Sequence, residues 1–423
     1  MLHQLSRLIL LICIPFHLNA SDSLYLPDDT TALFASLDRI EKSSIASYGN
    51  DILPKYVEYY ERRTDGLIGN ILAEDFIFDD KLISYLIGIY SEIARANHID
   101  TEPFILVSRS PIPNAASLGD GIFIINLGLF NSLESEEELA FVIAHELAHD
   151  QLRHINQRLE SLPDPPESAK KERRRIRRLI RREGLNSLKE SMRNEVYRGR
   201  RHSRANEFEA DSIGHIYIQN TRFAEGGSSA LMSLHTFEMF DLKESELLEI
   251  LSTKSFTIDK TWIKPKKKMF GGSFGSSEES QDSFWQKDSL ATHPDAEIRA
   301  EKLSVDASGS ETSQFNPIRI DRDLIEKEIS ADFVRRKLPI HAIIWSLDRM
   351  KMAPNDPAFY WSVIVSQLAV IQNSISEHDF DDLVPPSSYF DSSGGKAICR
   401  LVRNMSKSEL GNLIATLSNE KLE

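Results

Sequence analysis

The run Phe141-Val-Ile-Ala-His-Glu-Leu-Ala-His-Asp150 constrains the fold of this chain more than any other stretch. Its histidines, His145 and His149, stand four residues apart, so a helix brings both imidazoles onto one face, where they can grip one metal ion. Glu146 lies between them. A zinc ion held by two neutral imidazoles and a third ligand keeps an open coordination position, where the pKa of water falls to about 7. A carboxylate at the adjacent helical position can then take that water's proton. The alternative is a pair of histidines satisfied by hydrogen bonds on the buried side of an amphipathic helix. Five residues do not separate these readings, so the flanking sequence has to.

The helix has a recognisable start. Ser135 followed by Glu138 forms a capping-box pattern, with Glu136 and Glu137 in the first turn, where the helix dipole favours acids. Leu139, Val142, Ile143 and Leu147 supply an apolar stripe and Pro163 ends any continuation, which predicts a helix from about Glu136 into Leu152 to Arg158. Earlier, Leu82, Tyr85, Leu86, Ile89 and Ile93 follow helical spacing over Lys81 to Ala96, behind Asp79-Asp80. Scattered apolar positions fit further helices around Thr31 to Ile45 and Ile52 to Tyr60. Phe104 to Ser108 and Gly121 to Asn126 read as two strands, joined by a segment punctuated by Pro111, Pro113, Gly119 and Gly121. A strand at a sheet edge above the metal could bind an extended polypeptide by strand addition; the other reading is two ordinary buried strands.

A third ligand is needed downstream. In Asn206-Glu-Phe-Glu-Ala-Asp211, Glu207 and Asp211 share one helical face, so Glu207 can reach the metal while Asp211 orients a ligand histidine. Glu209 points elsewhere. His154 falls off the metal-facing direction by helical geometry and reads as structural; His202 sits in a basic run and reads as solvent-facing.

At these residues the sequence resembles the HtpX-like and CAAX-prenyl-protease-like gluzincin metallopeptidases. Pro113-Asn-Ala-Ala116, Gly119-Asp-Gly-Ile-Phe123, Gly128-Leu129, Ser135-Glu-Glu-Glu-Leu139 and His145-Glu-Leu-Ala-His149 resemble that family's first block in order and spacing. Ser203-Arg204 with Glu207 to Asp211 resembles its second, and Thr292-His-Pro294 with Arg299 and Leu303 its third, so the likeness runs from about Asp79 to Leu303. The resemblance implies one zinc ion per chain on His145, His149 and Glu207, with Glu146 as general base and Asp211 in support. It places His293 near the active cleft, where it would polarise the substrate carbonyl, stabilise the oxyanion or cap the metal at rest, against a purely structural His-Pro turn. The implied fold is α+β: a mainly helical zincin-type domain with a small sheet, followed by a helical C-terminal region.

The rest of the chain bounds its setting. Residues 1–20 read as an export signal, with Arg7, an apolar run from Leu8 to Phe16 and a cleavage site at Leu18-Asn19-Ala20; a retained anchor is the alternative. The domain is expected over 21–304, carrying a basic insertion at 163–204, and a helical interaction module over 305–423. The net charge of −14 speaks against nucleic acid as a partner. It is uneven: between Lys170 and Arg204, fifteen Lys and Arg stand against four Asp and Glu. That segment, 170–204, could lie on anionic lipid or an acidic partner, or simply be a solvated insertion. Cys13 falls in the signal, leaving Cys399 alone and reading as a small buried residue. Phe270 to Ser280 is rich in Gly and Ser and adjoins His293, as a gate or as a plain surface loop. Leu338 to Met350 and Ala358 to Ile371 predict a helical hairpin like one tetratricopeptide unit.

With the signal, the resemblance points to the soluble periplasmic branch, similar to the β-barrel assembly-enhancing proteases. The expected function is a zinc metalloendopeptidase of envelope protein quality control, acting on misfolded or unassembled polypeptides. The alternative is a zinc-stabilised chaperone or assembly factor for outer-membrane proteins with little turnover.

Overall fold

The computed structural model describes residues 29–49, 52–161, 204–237, 239–265, 296–306, 316–375 and 379–422. The expected signal, most of the basic insertion, His202, His293 and the glycine-rich run at 270–280 lie outside them. Among the described residues, no helix is long and apolar enough to cross a membrane.

The architecture is mainly helical α+β around one four-stranded sheet of order β1-β2-β4-β3. Helices α1 (Thr30–Ala46) and α2 (Pro54–Leu72) lead into β1 (Phe76–Ile77) and α3 (Asp80–Ala96). The Asp79 carboxylate caps α3, accepting from the Leu82 amide at 2.7 Å, so the paired acids expected at that helix start do hold it. Then come β2 (Phe104–Ser108), β3 (Ala115–Ser117) and β4 (Ile122–Asn126). β2 and β4 run parallel in register, while β1 and β3 pair antiparallel at the two edges.

Residue alternation along the strands divides their side chains between two layers. Ile105, Val107, Phe123 and Ile125 join the main core with α3 and the helix α4 (Glu136–Gln151), whereas Leu106 and Ile122 pack with Leu37, Leu67 and Ile71 of α1 and α2. Two strands predicted from the sequence are therefore four. β3 lies within the stretch expected to be a turn-rich connection, and Gly121, expected to open the second strand, is instead a turn residue at φ +77°. A Cβ there would come within 2.7 Å of the Glu102 carbonyl oxygen, so the position demands glycine twice over.

The HELAH helix also differs from expectation in two respects. Every residue from Glu136 to Ala148 is buried, so α4 is a central helix packed on all sides and not one with a single apolar stripe. It also stops at Gln151: Arg153 takes the left-handed conformation at φ +54°, and a separate helix α5 (His154–Ser161) begins after it.

Beyond α4 and α5 come α6 (204–219), α7 (Gly226–Thr236), α8 (Glu244–Leu251) and α9 (Ala296–Asp306). The tail supplies α10 (Arg322–Arg335), α11 (Pro339–Met350), α12 (Pro357–Ser374), α13 (Ser393–Asn404) and α14 (Lys407–Lys421). α11 and α12 form the expected hairpin. Ile325, Ile329 and Phe333 of α10, with Trp345 and Val363, extend the main core. A second core joins Ile343, Leu368, Ile398, Leu401, Leu413 and Leu417 to Leu242 and Leu247 around α8. Cys399 is fully buried there, and burial pushes its thiol up to about 12 despite nearby Arg403 and Arg400.

Candidate metal centre

α4 is fixed at both ends before any ligand is considered. Ser135 Oγ accepts from the Glu138 amide at 3.2 Å, as the capping pattern predicts. The reciprocal half is not formed: the Glu138 carboxylate reaches one residue further back, accepting from the Glu134 amide at 2.8 Å, and takes a second bond from the Ser233 hydroxyl at 3.1 Å. Glu136 pairs with Arg222, and Glu137 accepts from the Asn316 amide and side chain at 3.0 and 2.7 Å. Three buried acids thus tie the first turn to three other segments. α7 approaches so closely that a Cβ on Gly226 would sit 1.9 Å from the Glu137 carbonyl oxygen.

At the other end, Asp150 accepts from the Gly121 amide at 3.2 Å in the turn between β3 and β4. Arg63, buried on α2, locks the same turn by donating to the carbonyls of Leu118 and Gly119 at 3.0 and 3.2 Å and pairing with Asp120 at 2.9 Å. This fixes edge strand β3 beside α4, where the Ser117 amide donates to Glu146 Oε2 at 2.7 Å. One oxygen of the carboxylate is thereby aimed by the backbone.

The third donor arrives on α6. Gly214 lets that helix touch α4, because a Cβ there would stand 3.0 Å from both Cα and N of His145. Glu207, two turns earlier, then lies between the histidines: Oε2 is 3.5 Å from His145 Nε2, and Oε1 is 3.5 Å from His149 Nε2. The two Nε2 atoms are 3.0 Å apart. Among the described residues, His145, His149 and Glu207 form a group whose ligand atoms all fall within 4.8 Å of one another.

Behind these atoms is a layer that orients them. Asp211 Oδ1 lies 3.0 Å from His145 Nδ1, so the ring's other nitrogen faces the donor group. Arg299, from α9, holds Asp211 through two bonds of 2.6 Å and reaches Glu207 Oε2 at 3.2 Å. Burial alone would raise the Asp211 carboxyl, but Arg299 and His145 outweigh it and hold it below its ordinary range. Burial would lower His145, but Asp211 and Glu207 outweigh it and raise it to about 10. The polypeptide therefore concentrates negative potential where a cation would sit. Two imidazole nitrogens and one carboxylate match the donor set of a catalytic zinc centre with an open position.

Sequence reasoning thus named five residues that the fold brings together: His145, Glu146, His149, Glu207 and Asp211. His293 lies outside the described residues. Three contributors were missed. Arg299 belongs to the third block of the family resemblance without a role assigned to it, and the Ser117 amide falls in the segment that reads as turns. His154 was placed off the metal-facing side, and it is not one of the three donors. Its ring nevertheless contacts His149, with the two Nδ1 atoms 2.8 Å apart. The left-handed residue Arg153 carries it there, and no residue pattern announces that.

Residues 83–306 match the model of peptidase family M48, an interval containing the donors, Glu146, Asp211 and Arg299. The chain belongs to peptidase family M48. Membership makes it a metallopeptidase in general terms, acting on polypeptides. No curated protein matches the chain.

Proposed function

We propose that this M48 member is a zinc-dependent metalloendopeptidase that uses His145, His149 and Glu207 as ligands and Glu146 as general base. The observation that carries this reading is the convergence of those three donors within 4.8 Å, with Glu146 on the adjacent helical position. Zinc, when bound, supplies Lewis-acid polarisation of a peptide carbonyl and acidifies water. The chain's own residues do the rest. The Ser117 amide occupies Glu146 Oε2, so proton transfer falls to Oε1, which takes the water's proton and passes it to the leaving amine. Asp211, held by Arg299, keeps the His145 ring turned so that Nε2 is the ligand atom. Edge strand β3 lies beside Glu146 and suits an extended polypeptide added as a further strand.

We further place the activity in the periplasm, on misfolded or unassembled envelope proteins, with residues 1–20 as export signal, 21–304 as the catalytic domain and 305–423 as an interaction module. The leader pattern supports the location, and the second apolar core around α11 to α14 supports the module. His293 remains in this reading as a residue of the cleft.

The test is digestion of unfolded casein by the full-length chain before and after chelation. Cleavage that stops on chelation and returns with one equivalent of zinc supports the reading. Cleavage indifferent to chelation sinks it.

A further inference from the structure

Both ligand histidines need an acceptor on Nδ1 if Nε2 is to bind a metal, because a neutral imidazole carries one proton. His145 has Asp211, the arrangement expected from the sequence. His149 has a partner of a different kind. On an uninterrupted helix, five residues of advance would turn His154 about 140° away from His149. Instead α4 ends at Gln151, Arg153 adopts φ +54°, and α5 starts at His154, which carries the ring back. The two Nδ1 atoms lie 2.8 Å apart, a hydrogen-bond distance at which one must donate and the other accept. On its far side, His154 Nε2 lies 3.3 Å from Glu209 Oε2, on α6. His154 is 5% exposed, while the Glu209 side chain is 53% exposed, so the row of groups runs from the ligand cluster to solvent.

Only one arrangement of protons satisfies the row when Nε2 of His149 is a ligand. His149 carries its proton on Nδ1 and donates to His154 Nδ1. His154 then carries its own proton on Nε2 and donates to Glu209. We infer that His154 is a positioning residue that sets the tautomer and ring orientation of His149, with Glu209 as the anchor that sets His154 in turn. This rests on the zinc-metallopeptidase reading and deepens it. It also makes the two arms of the site unequal. The His145 arm ends on a buried, arginine-locked carboxylate, whereas the His149 arm ends on a neutral ring and a half-exposed acid.

The experiment is zinc affinity of the full-length chain, measured by competition with a chromophoric chelator, for the wild type, His154→Leu, His154→Asn and Glu209→Ala. Leucine fills the space without an acceptor. Asparagine places its Oδ1 where Nδ1 stood and preserves the acceptor. Losing such an orienting partner typically weakens metal affinity about 10–100-fold. The expected result is a loss of that size in His154→Leu, a smaller loss in Glu209→Ala, and recovery to within a few-fold of wild type in His154→Asn. Thermal melting of the chelated chains serves as the control for folding, and the leucine and asparagine variants should melt alike. Equal affinity in wild type and His154→Leu overturns the assignment, as does an asparagine variant no better than the leucine one. If His154→Leu does not fold, the same comparison passes to Glu209→Ala, whose affinity equal to wild type overturns the anchor and with it the row. A wild-type chain that binds no zinc has a different meaning, since it sinks the metallopeptidase reading itself.

Discussion

Replacing Arg299 by methionine should be among the most damaging single changes in the chain, and its size follows from the contacts. Arg299 is 3% exposed and Asp211 2% exposed, and the guanidinium makes two bonds of 2.6 Å to that carboxylate and a 3.2 Å contact to Glu207. Methionine fills the same channel but takes the guanidinium away from both buried acids, leaving them His145 as their shared basic partner. Removing one partner of a buried pair costs about 3–5 kcal/mol. The penalty has a ceiling, because Asp211 can escape by taking a proton at about 1.4 kcal/mol per pKa unit. The sign then follows. In the wild type the Asp211 carboxyl is depressed, so its stabilising effect is present above the unfolded carboxylate range and is lost as pH falls through the folded value. In the variant His145 is the basic partner left beside Asp211, so the carboxyl rises relative to the wild type and the gap between the two proteins narrows as pH falls. Urea unfolding of the chelated chains at pH 7.5 and pH 5 should therefore show a large gap that narrows at the lower pH. The double change Arg299→Met with Asp211→Asn should recover part of the loss. A gap under about 1 kcal/mol at pH 7.5, or one that does not depend on pH, would refute the claim that this arginine neutralises the buried acids.

Other outcomes follow from close approaches and clamps in the same site. Gly214→Ala puts a Cβ 3.0 Å from the backbone of His145, which cannot easily give way inside a central helix. The change should cost about 1–3 kcal/mol in urea unfolding and weaken zinc binding measurably by moving Glu207. Arg63→Ala releases the turn that positions β3, so the bond from Ser117 to Glu146 loses its support. Steady-state kinetics should show kcat down about 10–100-fold with zinc content unchanged. The Cys399 thiol, pushed up to about 12 by burial, should stay unreactive to a thiol reagent at pH 8 in the folded chain and react fully in urea.

The parts of this site that were legible in the sequence are those governed by short spacing. HELAH and the pair Glu207 and Asp211 each use an i, i+4 relation within one helix, which survives whatever the tertiary fold does. The acids at the start of α3 and the strands β2 and β4 were legible for the same local reason. What escaped depends on the chain meeting itself. β1 and β3 are two and three residues long and exist only because β2 and β4 offer edges to pair with. Arg299 reaches Asp211 across 88 residues. His154 returns to His149 because one arginine adopts a left-handed conformation, a choice that no propensity of arginine predicts. Glu138 reaches past Ser135 to the Glu134 amide, a shift of one residue that a motif cannot record.

In the proposed mechanism Glu146 moves the proton while His145, His149 and Glu207 hold the metal. The most direct measurement is peptide-bond hydrolysis by Glu146→Gln, with zinc content determined on the same sample. The expected result is one zinc per chain, as in the wild type, with cleavage of unfolded casein reduced by at least about 100-fold. Cleavage at the wild-type rate by a zinc-loaded Glu146→Gln chain would contradict it.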